Sequence, residues 1–235
     1  MNSSSNPSTI TLPSSPTCSP YSNTSPKIAL IDYGRGNLRS VFRALQSVGA
    51  NVTILSSPDQ FPSFDALVLP GVGAFGDCIA GLQIRGFWNH LLNWLNDQRP
   101  YLGICLGYQI LFEQSEESPG IQGLAYWKGT VRRFPSKPGV KIPHIGWNQI
   151  YLGSSSPLFT PSNQGSFVYF VHSYRPIPHD TGIITAWCEY AGERFAAAAG
   201  CGPIQAVQFH PEKSQTVGLG ILKNFVEFLR SQIRK

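Results

Sequence analysis

The stretch from Arg99 to Ser115, RPYLGICLGYQILFEQS, constrains the fold more than any other. An apolar run, PYLGIC, passes through Gly103-Ile104-Cys105-Leu106-Gly107 into a segment with helical spacing, LGYQILFEQS. A cysteine kept only for packing does not need a glycine two residues away on either side. A sharp strand-to-helix turn does need them, because larger neighbours would collide with its crowded backbone. Such a turn lifts its central side chain above the C-terminal edge of a sheet. It also puts that side chain at a helix start, a setting that favours thiolates, and leaves the N–H of Leu106 free to stabilise an oxyanion.

The flanking segments supply the sheet. KIALID (27–32), NVTIL (51–55), DALVLPG (65–71) and PYLGIC read as buried strands. LRSVFRALQSVG (38–49), GFWNHLLNWLND (86–97) and LGYQILFEQS read as helices. Leu38, Val41, Phe42, Leu45 and Val48 share one face of the first helix, and Gly49 ends it. Strands alternating with helices predict an α/β fold, an open, mostly parallel, flavodoxin-like sheet with helices on both faces. The second half changes character. AYWKGTVRRF (125–134), HIGWNQIYL (144–152), FVYFVHSY (167–174), GIITAWCEYA (182–191) and RFAAAAG (194–200) predict additional antiparallel strands. TVGLGILKNFVEFLRSQI (216–233) predicts a closing helix with Leu219, Leu222, Phe225, Val226, Leu229 and Ile233 on its buried stripe. Residues 1–26 carry no charged side chain and are crowded with Ser, Thr and Pro, so they are expected to be a disordered tail. That leaves 27–235 as one domain.

The five cysteines, Cys18, Cys78, Cys105, Cys188 and Cys201, are odd in number and form no CxxC pair. That opposes a disulfide framework and a zinc knuckle, implies no metal, and points to a reducing, cytoplasmic setting. The net charge of +5 comes from scattered basic residues, so a nucleic-acid surface is not expected. No apolar run approaches the roughly 20 residues that cross a bilayer.

A cysteine nucleophile needs a base, and the base needs a partner to orient it. IQAVQFHPEKS (204–214) places His210, Pro211 and Glu212 directly after an apolar run. Pro211 favours an extended conformation at His210. In an extended chain residues i and i+2 point to one side, so Glu212 is expected beside the imidazole, leaving its other nitrogen for Cys105. A second oxyanion donor is expected from the glycine-rich loop VLPGVGAFGD (68–77), at Val72 or Gly73.

PGVGAF, GICLGYQ and FHPEKS, in this order, resemble the class I, triad-type glutamine amidotransferases. Two further parts, IDYGRGNLRSV (31–41) and PHIGWN (143–148) with YFVHSY (169–174), narrow the resemblance to the branch that serves imidazole glycerol phosphate synthases in histidine biosynthesis. The resemblance covers about residues 28–232. It implies a glutaminase that releases ammonia from L-glutamine without a cofactor and passes it to a cyclase subunit in a heterodimer. By the same resemblance Cys105 is the nucleophile, His210 the base and Glu212 the orienting acid, with Val72, Gly73 and Leu106 in the oxyanion region. Gln109 would hold the substrate, Glu117 its ammonium group, and His172, Ser173 and Tyr174 its carboxylate. Arg35 and Asn37 in DYGRGN, with Lys213, would face the cyclase. A separate subunit is expected, because 235 residues leave no room for a (β/α)8 domain of about 250. The glutaminase of another synthase, such as anthranilate synthase, and a stand-alone γ-glutamyl hydrolase are the alternatives.

Overall fold

The structure is a computed structural model and describes Met1 and residues 25–233. Most of the expected tail, and Cys18 with it, lies outside the described residues. In chain order the first half runs β1 (Lys27–Ile31), α1 (Leu38–Ser47), β2 (Asn51–Leu55), β3 (Ala66–Gly71), α2 (Phe75–Ile84), α3 (Phe87–Asn96), β4 (Tyr101–Cys105) and α4 (Leu106–Gln109). The second half runs β5 (Gln114–Ser115), β6 (Gly129–Arg133), β7 (His144–Gln149), β8 (Tyr151–Leu152), β9 (Phe167–His172), β10 (Tyr174–Pro178), β11 (Ile184–Tyr190), β12 (Glu193–Cys201), β13 (Ile204–Val207) and α5 (Gln215–Ile233).

The main sheet has eight strands in the order β2-β1-β3-β4-β13-β12-β11-β8. The first five are parallel and the remaining pairings antiparallel, which is the mixed, flavodoxin-like arrangement the pattern predicts. Pleating sends alternate residues of β1 to opposite faces. Ile28 and Leu30 pack in a core under α1 and α5, whereas Ala29 and Ile31 pack in a second core under α2 and α3. β10, β6 and β5 form a small sheet, and β7 pairs with β9 beside the sheet edge.

Three local expectations are corrected. The helix expected over 106–115 lasts one turn, as α4. The N–H groups of Leu124, Trp127, Ala125 and Gly123 donate to the carbonyls of Ile110, Leu111, Phe112 and Glu113, so those carbonyls are paired with this loop instead of with a further helical turn. The expected strands over 144–152 and 167–174 each break in two, at Ile150 and Ser173. On α5, Leu219 and Ile233 are exposed, and Gly218 and Ile221 take places on the buried stripe. Helix α2 had no sequence signal strong enough to separate it from the loop before it. Among the described residues no helix is long and apolar enough to cross a membrane.

Candidate active site

β1, β4 and β13 are parallel, so the turns after all three open on one edge of the sheet. Cys105 ends β4 with φ 56° and ψ −101°, a strained conformation for a residue with a side chain. The neighbouring glycines make that turn possible. A Cβ on Gly107 would overlap the Leu69 carbonyl oxygen, and one on Gly103 would lie 2.5 Å from the Gly107 oxygen. The buried Tyr101 hydroxyl donates to that same Gly107 oxygen at 2.8 Å and ties the turn to its own strand.

His210 follows β13, and its backbone is pinned to β9. His210 N donates to Tyr169 O at 2.9 Å, and the Ser214 hydroxyl bridges His210 O at 2.6 Å and Tyr169 N at 2.9 Å. The Nδ1 of His210 meets Glu212 Oε1 at 2.8 Å, with both side chains buried. The expected partnership forms, but by a different route. Pro211–Lys213 is a 3₁₀ turn, which folds the carboxylate back toward the ring instead of laying it along an extended chain. His210 Nε2 is buried without a hydrogen-bond partner. Burial alone would make the imidazole less basic, but the charge of Cys105 and then Glu212 outweigh it and hold the pKa of His210 well above its usual value.

A cavity of about 290 Å³ is lined by Val72, Gly73, Cys105, Leu106, Gln109, Glu117, His172, Ser173, Tyr174, His210 and Lys213. Every catalytic, oxyanion and substrate-binding candidate except buried Glu212 thus faces one space. Hollows of about 370 and 560 Å³ elsewhere contain none of them. Leu106 opens α4, so its N–H has no intrahelical acceptor. Val72 is differently engaged. Its N–H donates to the Tyr33 hydroxyl at 3.2 Å, and that hydroxyl in turn lies 3.3 Å from Val72 O. Its amide is therefore not offered to the cavity. Glu117 accepts from Phe75 N at 2.8 Å, so it caps α2 as well as lining the cavity, and burial raises its pKa.

His172 is tied into the fold through both ring nitrogens. Its Nδ1–H donates to Tyr174 O at 2.8 Å, which leaves Nε2 to accept from His144 Nδ1–H at 3.1 Å. Burial pushes His172 down to about 3 and His144 to about 4, so both rings are neutral near pH 7. Both nitrogens of His172 are thus committed to internal hydrogen bonds, while Ser173 and Tyr174 line the cavity beside it. Gln208, which sequence reasoning passed over, is fully buried and donates from Nε2 to Cys105 Sγ at 3.5 Å. Its only sequence signal is a polar residue interrupting the apolar run before His210. Arg35 and Asn37 are exposed, and Arg35 approaches Asp77 at 3.5 Å across an exposed, weak ion pair. The Lys213 ammonium lies 5.6 Å from the Tyr169 ring centre. Among the described residues no group of three or more His, Cys, Asp or Glu is placed to hold a metal ion.

Residues 29–228 match the family described as Glutamine amidotransferase class-I. Relatives include proteins named Imidazole glycerol phosphate synthase subunit HisH. The one from Synechococcus sp. is 44% identical, over 88% of this chain and 96% of that one. The one from Geobacter sulfurreducens is 47% identical, over 86% and 98%. The one from Methanothermobacter thermautotrophicus is 46% identical, over 87% and 100%. Among solved structures, PurLQS from Thermotoga maritima superposes with a TM-score of 0.66 at 18% identity, over 88% of this chain and 100% of that one. A glutamine amidotransferase superposes with a TM-score of 0.65 at 16% identity, over 86% and 98%. These two likenesses concern the fold alone.

Proposed function

The chain belongs to the class I glutamine amidotransferases, and from that premise we propose that it is the glutaminase subunit of an imidazole glycerol phosphate synthase. Residues 27–235 would act as one amidotransferase domain. The observation that carries the reading is the buried His210–Glu212 pair at 2.8 Å, with His210 lining the same cavity as Cys105.

In this reading L-glutamine enters with its side-chain carbonyl toward the amides of Leu106 and Gly73. The Cys105 thiolate attacks the amide carbon and the oxyanion is held by those N–H groups. The raised basicity of His210 keeps a proton on its ring. That proton goes to the departing nitrogen as the C–N bond breaks, leaving a thioester and ammonia. The neutral ring then takes a proton from water, which attacks the thioester. Sulfur leaves and glutamate is released. Glu212 fixes the tautomer throughout by accepting from Nδ1–H.

Ammonia would pass to a cyclase subunit docked on the same sheet edge. Arg35, Asn37 and Lys213 sit in turns on that edge, and Ile145 and Trp147 of β7 are 59% and 45% exposed beside it. The described cysteines are all free thiols, which suits a reducing cytoplasm. The test is ammonia release from glutamine, with and without the cyclase of a relative and its ligand. Wild type should turn over faster with the cyclase. Cys105→Ala should abolish release in both conditions, and continued release by that variant overturns the reading.

A further inference from the structure

Gln208 is a fully buried polar side chain directly beside the sulfur. β13 runs parallel to β4 with Val207 opposite Ile104, so one step further brings Gln208 level with Cys105. Its amide orientation is dictated by a chain of hydrogen bonds. The Tyr174 carbonyl can only accept, so Gln109, 3.0 Å away, must turn Nε2 toward it. The second proton on that nitrogen points at Gln208, 3.0 Å away, which must therefore present Oε1. Gln208 Nε2 is left facing Cys105 Sγ at 3.5 Å. Reversing either amide would set like against like in a buried site. The far end of the chain is anchored too. Tyr174 O also accepts from His172 Nδ1–H, and His172 is held by His144 and then Asn148, at 3.1 and 3.3 Å.

We infer that Gln208 is a further catalytic side chain, whose amide N–H donates to the sulfur of Cys105 and holds it as a thiolate in attack position. The inference rests on Cys105 being the nucleophile of the proposed glutaminase. A donor to sulfur is worth most when the sulfur is charged, and it complements His210, which gives up its proton during the reaction while an amide does not.

The test is site-resolved alkylation of Cys105 by iodoacetamide, read by mass spectrometry between pH 5 and 10. It compares the full-length wild type with Gln208→Glu and Gln208→Met. Gln208→Glu keeps an acceptor for Gln109 and replaces the donor with a charge. Gln208→Met keeps the bulk without polarity and stands in if the first variant does not fold. The other ionisable groups near the sulfur, namely His210, Glu212, Tyr33, Cys78, Glu117, His172, Tyr174 and Lys213, are unchanged in both. The midpoint of labelling should move about one to two pH units alkaline in either variant, with the plateau rate preserved. In the complex, kcat should fall roughly tenfold or more in Gln208→Glu while KM for glutamine changes little. Folded variants whose labelling curves superpose on wild type overturn the inference. Labelling reports on the sulfur whether or not glutamine is the substrate, so this failure is distinct from a wild type that releases no ammonia.

Discussion

At the scale of single residues, one amide of the proposed site is turned to another partner, that of Val72. Its amide is held by the Tyr33 hydroxyl, and Tyr33 itself is buried at the start of the turn that carries Arg35 and Asn37. A phenol in that position ties the oxyanion loop to the expected docking turn. Tyr33→Phe removes the hydroxyl and keeps the ring. Cyclase-free glutaminase turnover is then expected to rise roughly tenfold or more, since one oxyanion donor is commonly worth 10²–10³ in kcat. An unchanged or lower basal rate in a folded variant would show that Tyr33 does not restrain the loop. Arg35 offers no comparable lever, because its exposed pairing with Asp77 is worth little.

At the scale of elements, burial decides which parts of a pattern count. The closing helix was legible from its spacing, yet its stripe is rotated slightly from the expected one. Leu222 is fully buried in the core beneath α1 and α5, whereas Leu219 is 37% exposed. Leu222→Ala is expected to destabilise the chain by about 2–5 kcal/mol, and Leu219→Ala by less than about 1, measured by urea unfolding. Equal losses would mean that the helix packs differently. The shortened α4 makes the complementary point. Its sequence suits a longer helix, but the loop at 123–127 competes for the same carbonyls and wins, because buried backbone groups must all be paired.

At the scale of the whole molecule, the buried histidines link stability to pH. His144 and His172 lie between the β7–β9 pair and the sheet, held neutral at about 4 and 3 against 6.5 when unfolded. Below pH 6.5 the unfolded chain takes up protons that the folded chain refuses, so stability falls as pH falls from 6.5 toward 4. The slope is about 1.4 kcal/mol per pH unit for each ring. His210, with its pKa raised, stays protonated when folded and becomes protonated on unfolding just below pH 6.5, so it adds only a small opposing slope at the top of that window. Urea midpoints at pH 6.5 and 5.0 should differ by roughly 2–4 kcal/mol in unfolding free energy. Equal midpoints would mean that the two rings are not held neutral by the fold.

Local sequence determined the parts whose causes are local. Compact apolar runs set the parallel strands and helical spacing the helices between them, the paired glycines set the turn under Cys105, and His210-Pro211-Glu212 suggested a base with its partner. Resemblance of PGVGAF, GICLGYQ and FHPEKS to a family then suggested what such parts do together. Tertiary structure alone decided that the His–Glu contact is made through a 3₁₀ turn, that Val72 is held by Tyr33, and that His172 spends both nitrogens on internal bonds. It also brought Gln208 to the sulfur across 103 residues of sequence. The reason is physical: spacing fixes which way a side chain leaves its own strand or helix. Which distant donor meets which acceptor depends on strand order and on the demand that every buried polar group find a partner.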